Sequence, residues 1–152
     1  MYCPDCHNDN DFEIREEKEI ICVREENIEI VSKITYCKKC GTKVWNSELD
    51  NDNLKIAYDL YRKKHNLLTS EEIKAIRNKY GISQALFAKV LGLEEKHIVR
   101  YENGSIQDIV HNDLILFSKN IDEFKKMFER KIYKFNDTEK EEINNILMKN
   151  IK

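Results

Sequence analysis

The sequence predicts an α+β protein: a small N-terminal antiparallel β domain clipped by a metal ion, then an all-α domain built on a helix-turn-helix with extra C-terminal helices. Three observations predict this. Two C-x-x-C knuckles, Cys3/Cys6 and Cys37/Cys40, bracket residues 7–36. Within the bracket, apolar residues alternate with acidic ones, as in half-buried strands. From Leu54 onward the apolar residues recur at three-to-four spacing, punctuated by capping residues and glycines.

Two intervening residues let each knuckle fold back and offer both sulfurs to one ion. Four thiolates then close a tetrahedral shell with no position left for a substrate. The expectation is one structural Zn2+ per chain, held by Cys3, Cys6, Cys37 and Cys40. Gly41, directly after the second knuckle, suits the left-handed turn that aims amide N–H groups at sulfur. Competing readings fit less well. A redox C-x-x-C works as a single motif in a thioredoxin-like setting. A secreted disulfide framework conflicts with the odd fifth cysteine, Cys22, and with the absence of a signal-peptide pattern. Cys22, between Ile21 and Val23, is expected as a buried free thiol. His7, next to Cys6, is the alternative ligand.

Phe12, Ile14, Ile20 and Cys22, then Ile28, Ile30, Ile34 and Tyr36, sketch the strands, with Arg24-Glu25-Glu26-Asn27 as a hairpin break. So small a sheet buries too little apolar surface to stand alone, and metal should supply most of its folding energy. Residues 47–53 are polar and read as a turn-rich boundary. Leu54, Ala57, Tyr58 and Tyr61 begin the helical pattern. Thr69-x-x-Glu72 is a capping box for a helix that stops at Gly81. Ser83 caps the next, Gly92 ends it, and a third runs from about Glu94 to Asn103-Gly104. Two more are expected at 109–119 and 121–131, and a last one from Asp137 or Thr138 with Ile143, Ile146, Leu147 and Ile151 inward. The expected division is a zinc-binding β domain at 1–50, a linker helix at 51–67, a helix-turn-helix domain at 68–119 and a helical extension at 120–152.

Gln84, Ala88 and Gly92 fall at strict four-residue spacing, followed by Leu93, Ile98 and Tyr101. Ala88 suits a close helix crossing, Gly92 the turn, and Phe87, Leu91, Ile98 and Tyr101 the packing of the pair onto the helix at 70–80. The second helix is then free to lie in a DNA major groove. Arg100 can present two donors to guanine O6 and N7, and Lys96 can reach a base or a phosphate. His97 lies between them. The alternative for Arg100 is a solvated residue or an ion pair with Glu95 or Glu102. Ser83 and Gln84, at a helix N-terminus, suit a phosphate contact, which is compatible with plain capping by Ser83.

This stretch resembles the Cro/repressor-type helix-turn-helix, and Arg100-Tyr101-Glu102-Asn103-Gly104 is similar to the end of that family's recognition helix. The combination of a double C-x-x-C domain, Leu67-Leu68-Thr69-Ser70-Glu71-Glu72-Ile73, the Ser83-Gln84 motif and that ending resembles the MqsA/YgiT-type antitoxins, roughly over residues 1–117. The resemblance implies that the C-terminal domain dimerises and represses its own operon, that the zinc domain serves a toxin complex, and that Arg100 reads a base. Lys96 stands where the best-known members carry Asn, which points to a different operator. The tail from about residue 120 extends beyond the family's compact form.

Charge divides the chain. Residues 1–50 hold seven Lys/Arg against twelve Asp/Glu, a balance of −5, whereas 118–152 hold nine against seven. The first segment should repel phosphate and attract a basic partner, leaving nucleic-acid contact to later residues. No apolar run is long enough to cross a bilayer. His7, His65, His97 and His111 are scattered, and no nucleophile–base order or phosphate loop is present, so no enzyme is expected. The expected protein is a cytoplasmic antitoxin-type transcriptional regulator, a homodimer on double-stranded operator DNA, with a toxin from the adjacent gene as partner. The alternative is a stand-alone repressor of a mobile element with a purely structural zinc domain.

Overall fold

In the computed structural model the polar break after Val23 is a two-residue turn: Arg24 and Glu25 both take positive φ, 47° and 68°. That conformation matches the twist of the flanking strands. It pairs β3 (Phe12–Val23) with β4 (Glu26–Cys37) along their full length, from Val23↔Glu26 to Phe12↔Cys37. β5 (Lys43–Val44) adds a short third strand to β4, and β1 (Tyr2–Cys3) pairs separately with β2 (Asn8–Asp9). The structure describes residues 1–149, and the chain divides into two compact units, Met1–Tyr61 and Arg62 onward. The α+β class holds: an antiparallel sheet with four clustered cysteines, then seven α-helices among the described residues.

β4 alternates: Ile28, Ile30, Ser32 and Ile34 are buried, while Asn27, Glu29, Val31 and Lys33 are exposed. The same two-residue period corrects the expectation for Cys22. It shares parity with Ile14 and Ile20, which are 59% and 68% exposed, so its thiol faces solvent while Val23 turns inward.

Residues 47–53 are not a turn but the start of helix α1 (Ser47–Lys64). Asn46, just before that stretch, and Asp50 within it cap the helix: Asn46 Oδ1 accepts from Leu49 N–H at 3.2 Å, and Asp50 Oδ2 accepts from Asn46 N–H at 3.0 Å. Glu48 and Asp50 suit the positive end of the helix. Asn53, polar but buried, pairs with the open edge of β4. Its side chain accepts from Lys33 N–H at 3.0 Å and donates to Lys33 C=O at 2.9 Å, occupying groups a further strand would take.

In the second unit the capping signals fold as read. Thr69 and Glu72 form a reciprocal capping box on α2 (Ser70–Tyr80), which Gly81 ends in the left-handed region. α3 (Gln84–Leu91), α4 (Glu95–Glu102), α5 (Ile109–Ser118), α6 (Ile121–Arg130), a single 3-10 turn at Ile132–Lys134 and α7 (Asp137–Lys149) follow. One core joins them: Ile73, Phe87, Val90 and Ile98 pack in the same cluster as Phe124, Phe128, Phe135, Ile143 and Leu147. Ile151, expected on the inner face of α7, lies outside the described residues.

Candidate metal centre and nucleic-acid interface

The four sulfurs of Cys3, Cys6, Cys37 and Cys40 all lie within 4.8 Å of one another. Cys3 and Cys40 are 3.6 Å apart across the two knuckles, and Cys6 and Cys37 are 4.0 Å apart. A tetrahedron with metal–sulfur bonds of about 2.3 Å has sulfur–sulfur edges of about 3.8 Å, so the donor set fits a closed four-thiolate shell. The spacing is about twice that of a disulfide, and all the cysteines are free thiols. The four residues are therefore positioned to bind a metal ion.

Local backbone geometry aims donors at these sulfurs. Cys6 N–H points at Cys3 Sγ at 3.4 Å, and Asn10 Nδ2 at Cys37 Sγ at 3.6 Å. Gly41, at φ 73°, spends its own N–H on the Cys37 carbonyl at 2.8 Å, and its turn brings Thr42 to the Cys40 sulfur. The Thr42 hydroxyl and then its N–H lower the Cys40 pKa to about 6. The N–H of Cys40 leads in lowering that of Cys37. Cys6, hydrogen-bonded first to Cys40 and then desolvated, is pushed up to about 12. The sulfurs thus share their protons unevenly, with thiolate character concentrated on the second knuckle. His7 takes the left-handed position after the first knuckle (φ 56°), as Gly41 does after the second. Its ring is exposed beside Tyr2 and lies outside the four-sulfur group.

On the same face of the sheet as Ile30, Ser32 and Ile34, Glu17 accepts from Tyr36 Oη, Glu19 pairs with Lys43 at 3.0 Å and Glu13 pairs with Arg15. Glu16, Val31, Leu49, Asp52 and Ile56 line an open groove of about 420 Å³ in this unit. Trp45, the single tryptophan, is 75% exposed just after β5. Nothing in its sequence context marked it, because exposure of an aromatic depends on which side of the short β5 ladder the chain leaves.

In the second unit, Ser83 caps α3 through its hydroxyl, which accepts from Leu86 N–H at 3.1 Å, and Gln84 is the first helical residue. Gly92, at φ 77°, ends α3, with Leu93 N–H reaching back to Ala88 C=O at 2.8 Å. On α4, Lys96 and Arg100 stand one turn apart and both are exposed. Lys96 pairs loosely with Glu94 at 3.1 Å. His97 departs from them: it is half-buried, with its ring 4.9 Å from that of His111.

The C-terminal end of α4 is held by three side chains that sequence reading did not assign. Glu102, 2% exposed, takes a bidentate pair from Arg77 rather than from Arg100. Ser70 Oγ donates to Tyr101 C=O at 2.7 Å. Arg62, near the end of α1, is fully buried and donates to Gly104 C=O at 2.7 Å and Ser105 C=O at 2.6 Å.

α5 exposes an apolar stripe: Ile109, Val110, Leu116 and Phe117 are 42–65% exposed. No helix among the described residues is long and apolar enough to cross a membrane. A family model described as the antitoxin component of a bacterial toxin-antitoxin system, MqsA, matches residues 1–132. No curated protein matches the chain.

Proposed function

This chain belongs to the MqsA antitoxin family, and from that premise we propose a non-enzymatic, cytoplasmic DNA-binding regulator that represses its own operon and binds the neighbouring toxin through its first unit. The observation that carries this reading is the charge division between the two units. Residues 1–61 hold eight Lys/Arg against fourteen Asp/Glu, a balance of −6, and residues 62–152 hold eighteen against fourteen, a balance of +4. The acidic unit is suited to steering a basic protein and the basic unit to a polyanion.

In this reading the metal is Zn2+, one ion per chain, holding the first unit folded around Cys3, Cys6, Cys37 and Cys40. Exposed Trp45 and the open groove supply apolar contact for the toxin, and the outer edge of β3 supplies backbone groups. Arg100 reads a guanine in the major groove, with Lys96 beside it on a base or phosphate. Ser83 and Gln84 hold a phosphate at the start of α3. His97, half-buried, contributes at the rim of that contact. The stripe on α5 pairs two copies, which would set two reading helices on a two-fold operator.

The test uses the full-length protein, DNA from upstream of its own gene and the purified product of the adjacent gene. Binding of both is expected, with salt-sensitive capture of the protein partner. Specific DNA binding without the protein partner would favour a stand-alone repressor with a structural zinc domain. Binding of neither would end the reading.

A further inference from the structure

We infer that Lys131, in the segment after α6, is a positioning residue that clamps the turn between α3 and α4. Its side chain lies across Gly92: a Cβ built on that glycine would meet Lys131 Cε at 2.9 Å. Its ammonium donates to Val90 C=O at 3.2 Å, one of the last carbonyls of α3, and to Met127 C=O at 3.4 Å in α6. A cation at a helix C-terminus satisfies carbonyls that have no partner within the helix. Here it does so from another element, tying α6 to the turn that sets the direction of α4.

A second tie runs parallel to it. Lys89, also on α3, pairs with Glu139 of α7 at 2.9 Å and sits 5.4 Å from the centre of the Phe135 ring. Beneath both ties, Phe124 stacks on Tyr80 with ring centres 4.1 Å apart, and Phe128 packs edge-on against Phe135. The segment after residue 119 is therefore bound into the core that supports α3 and α4. Gly92 is constrained twice, by its positive φ and by the lysine stem above it. A side chain there could displace the flexible stem, but only by withdrawing the ammonium from Val90.

Lys131→Met keeps the stem and removes the donor. Its effect on the turn is read by amide hydrogen exchange at Gly92 and Leu93, whose N–H groups bond to Lys89 and Ala88 carbonyls. Exchange at these two positions is expected to rise about tenfold, the loss of one charged hydrogen bond, while amides in the middle of α7 stay unchanged. Unchanged exchange at the turn, or a uniform rise across the unit, would overturn the clamp. The consequence for DNA rests on the reading proposed above: operator affinity should fall several-fold more than affinity for random DNA. Should the wild type read no DNA, that reading fails, and the exchange experiment still decides the clamp. A double-mutant cycle adds a second check. Gly92→Ala should lower the unfolding temperature less in a Lys131→Ala background than in the wild type, and strict additivity would argue against contact between them.

Discussion

Replacing Glu102 by Gln keeps the shape of the side chain and removes its charge at the point where α4 is anchored. The carboxylate is 2% exposed and receives Arg77 Nε and Nη2 at 2.8 Å each. Breaking a fully buried ion pair costs about 3–5 kcal/mol, because the surviving charge is stranded. Two features reduce that figure. Arg77 is 17% exposed and keeps its Nη1 bond to Ile82 C=O at 2.9 Å, and glutamine retains one acceptor. We expect a loss of about 2–3 kcal/mol. For a domain of roughly this size, at about 4–8 °C per kcal/mol, the helical unfolding transition should fall by about 10–20 °C. Thermal unfolding of the full-length protein followed by far-ultraviolet circular dichroism measures it. Arg77→Met with Glu102→Leu should recover most of the loss, since an apolar pair strands no charge. A drop of less than about 3 °C for Glu102→Gln would mean the pair is worth no more than a surface ion pair, and would refute the anchoring argument.

Metal removal should unfold the sheet of the first unit and leave the helices of the second folded, with one ion per chain by elemental analysis; Cys37→Ser should do the same, and a metal-free protein retaining its sheet signals would contradict it. All four ligands must be thiolates, so metal binding should release protons and its affinity should weaken as pH falls below the ordinary thiol pKa of about 8.5; calorimetry in buffers of different ionisation enthalpy reads the release, and an affinity independent of pH would contradict it. Arg100→Ala should cost about 1–3 kcal/mol on the operator and little on random DNA, and equal losses would reassign Arg100 to a phosphate. If two copies pair through the α5 stripe as proposed, Phe117→Asp should shift sedimentation from dimer to monomer, and an unchanged mass would count against that pairing.

Features fixed by short-range physics were legible in the chain. A knuckle is four residues of backbone, a capping box is four, and a left-handed glycine is one. So the cysteine cluster, the Thr69–Glu72 box, the Ser83 cap and the Gly92 stop could all be read from spacing. The misreadings share one cause. Polar residues look alike in sequence whether solvent or a distant backbone satisfies them. Asn53, within 47–53, read as part of a turn because its partner, the edge of β4 at Lys33, comes from elsewhere in the chain. Nothing near Arg62 in the chain marks it as buried, because the carbonyls that receive it lie some forty residues on. Cys22 read as buried because an apolar run gives strand identity without parity, and only the register Val23↔Glu26 decides which side of the sheet each residue takes. Lys131 lies at the far limit: its neighbour Gly92 is distant in sequence, and only the packed core of α3, α6 and α7 brings the ammonium to the turn. Sequence determined where the chain turns and what could bind a metal, because those depend on neighbours along the backbone. Tertiary structure decided which charges are buried and what they hold, because burial is a property of residues that meet only when the chain has folded.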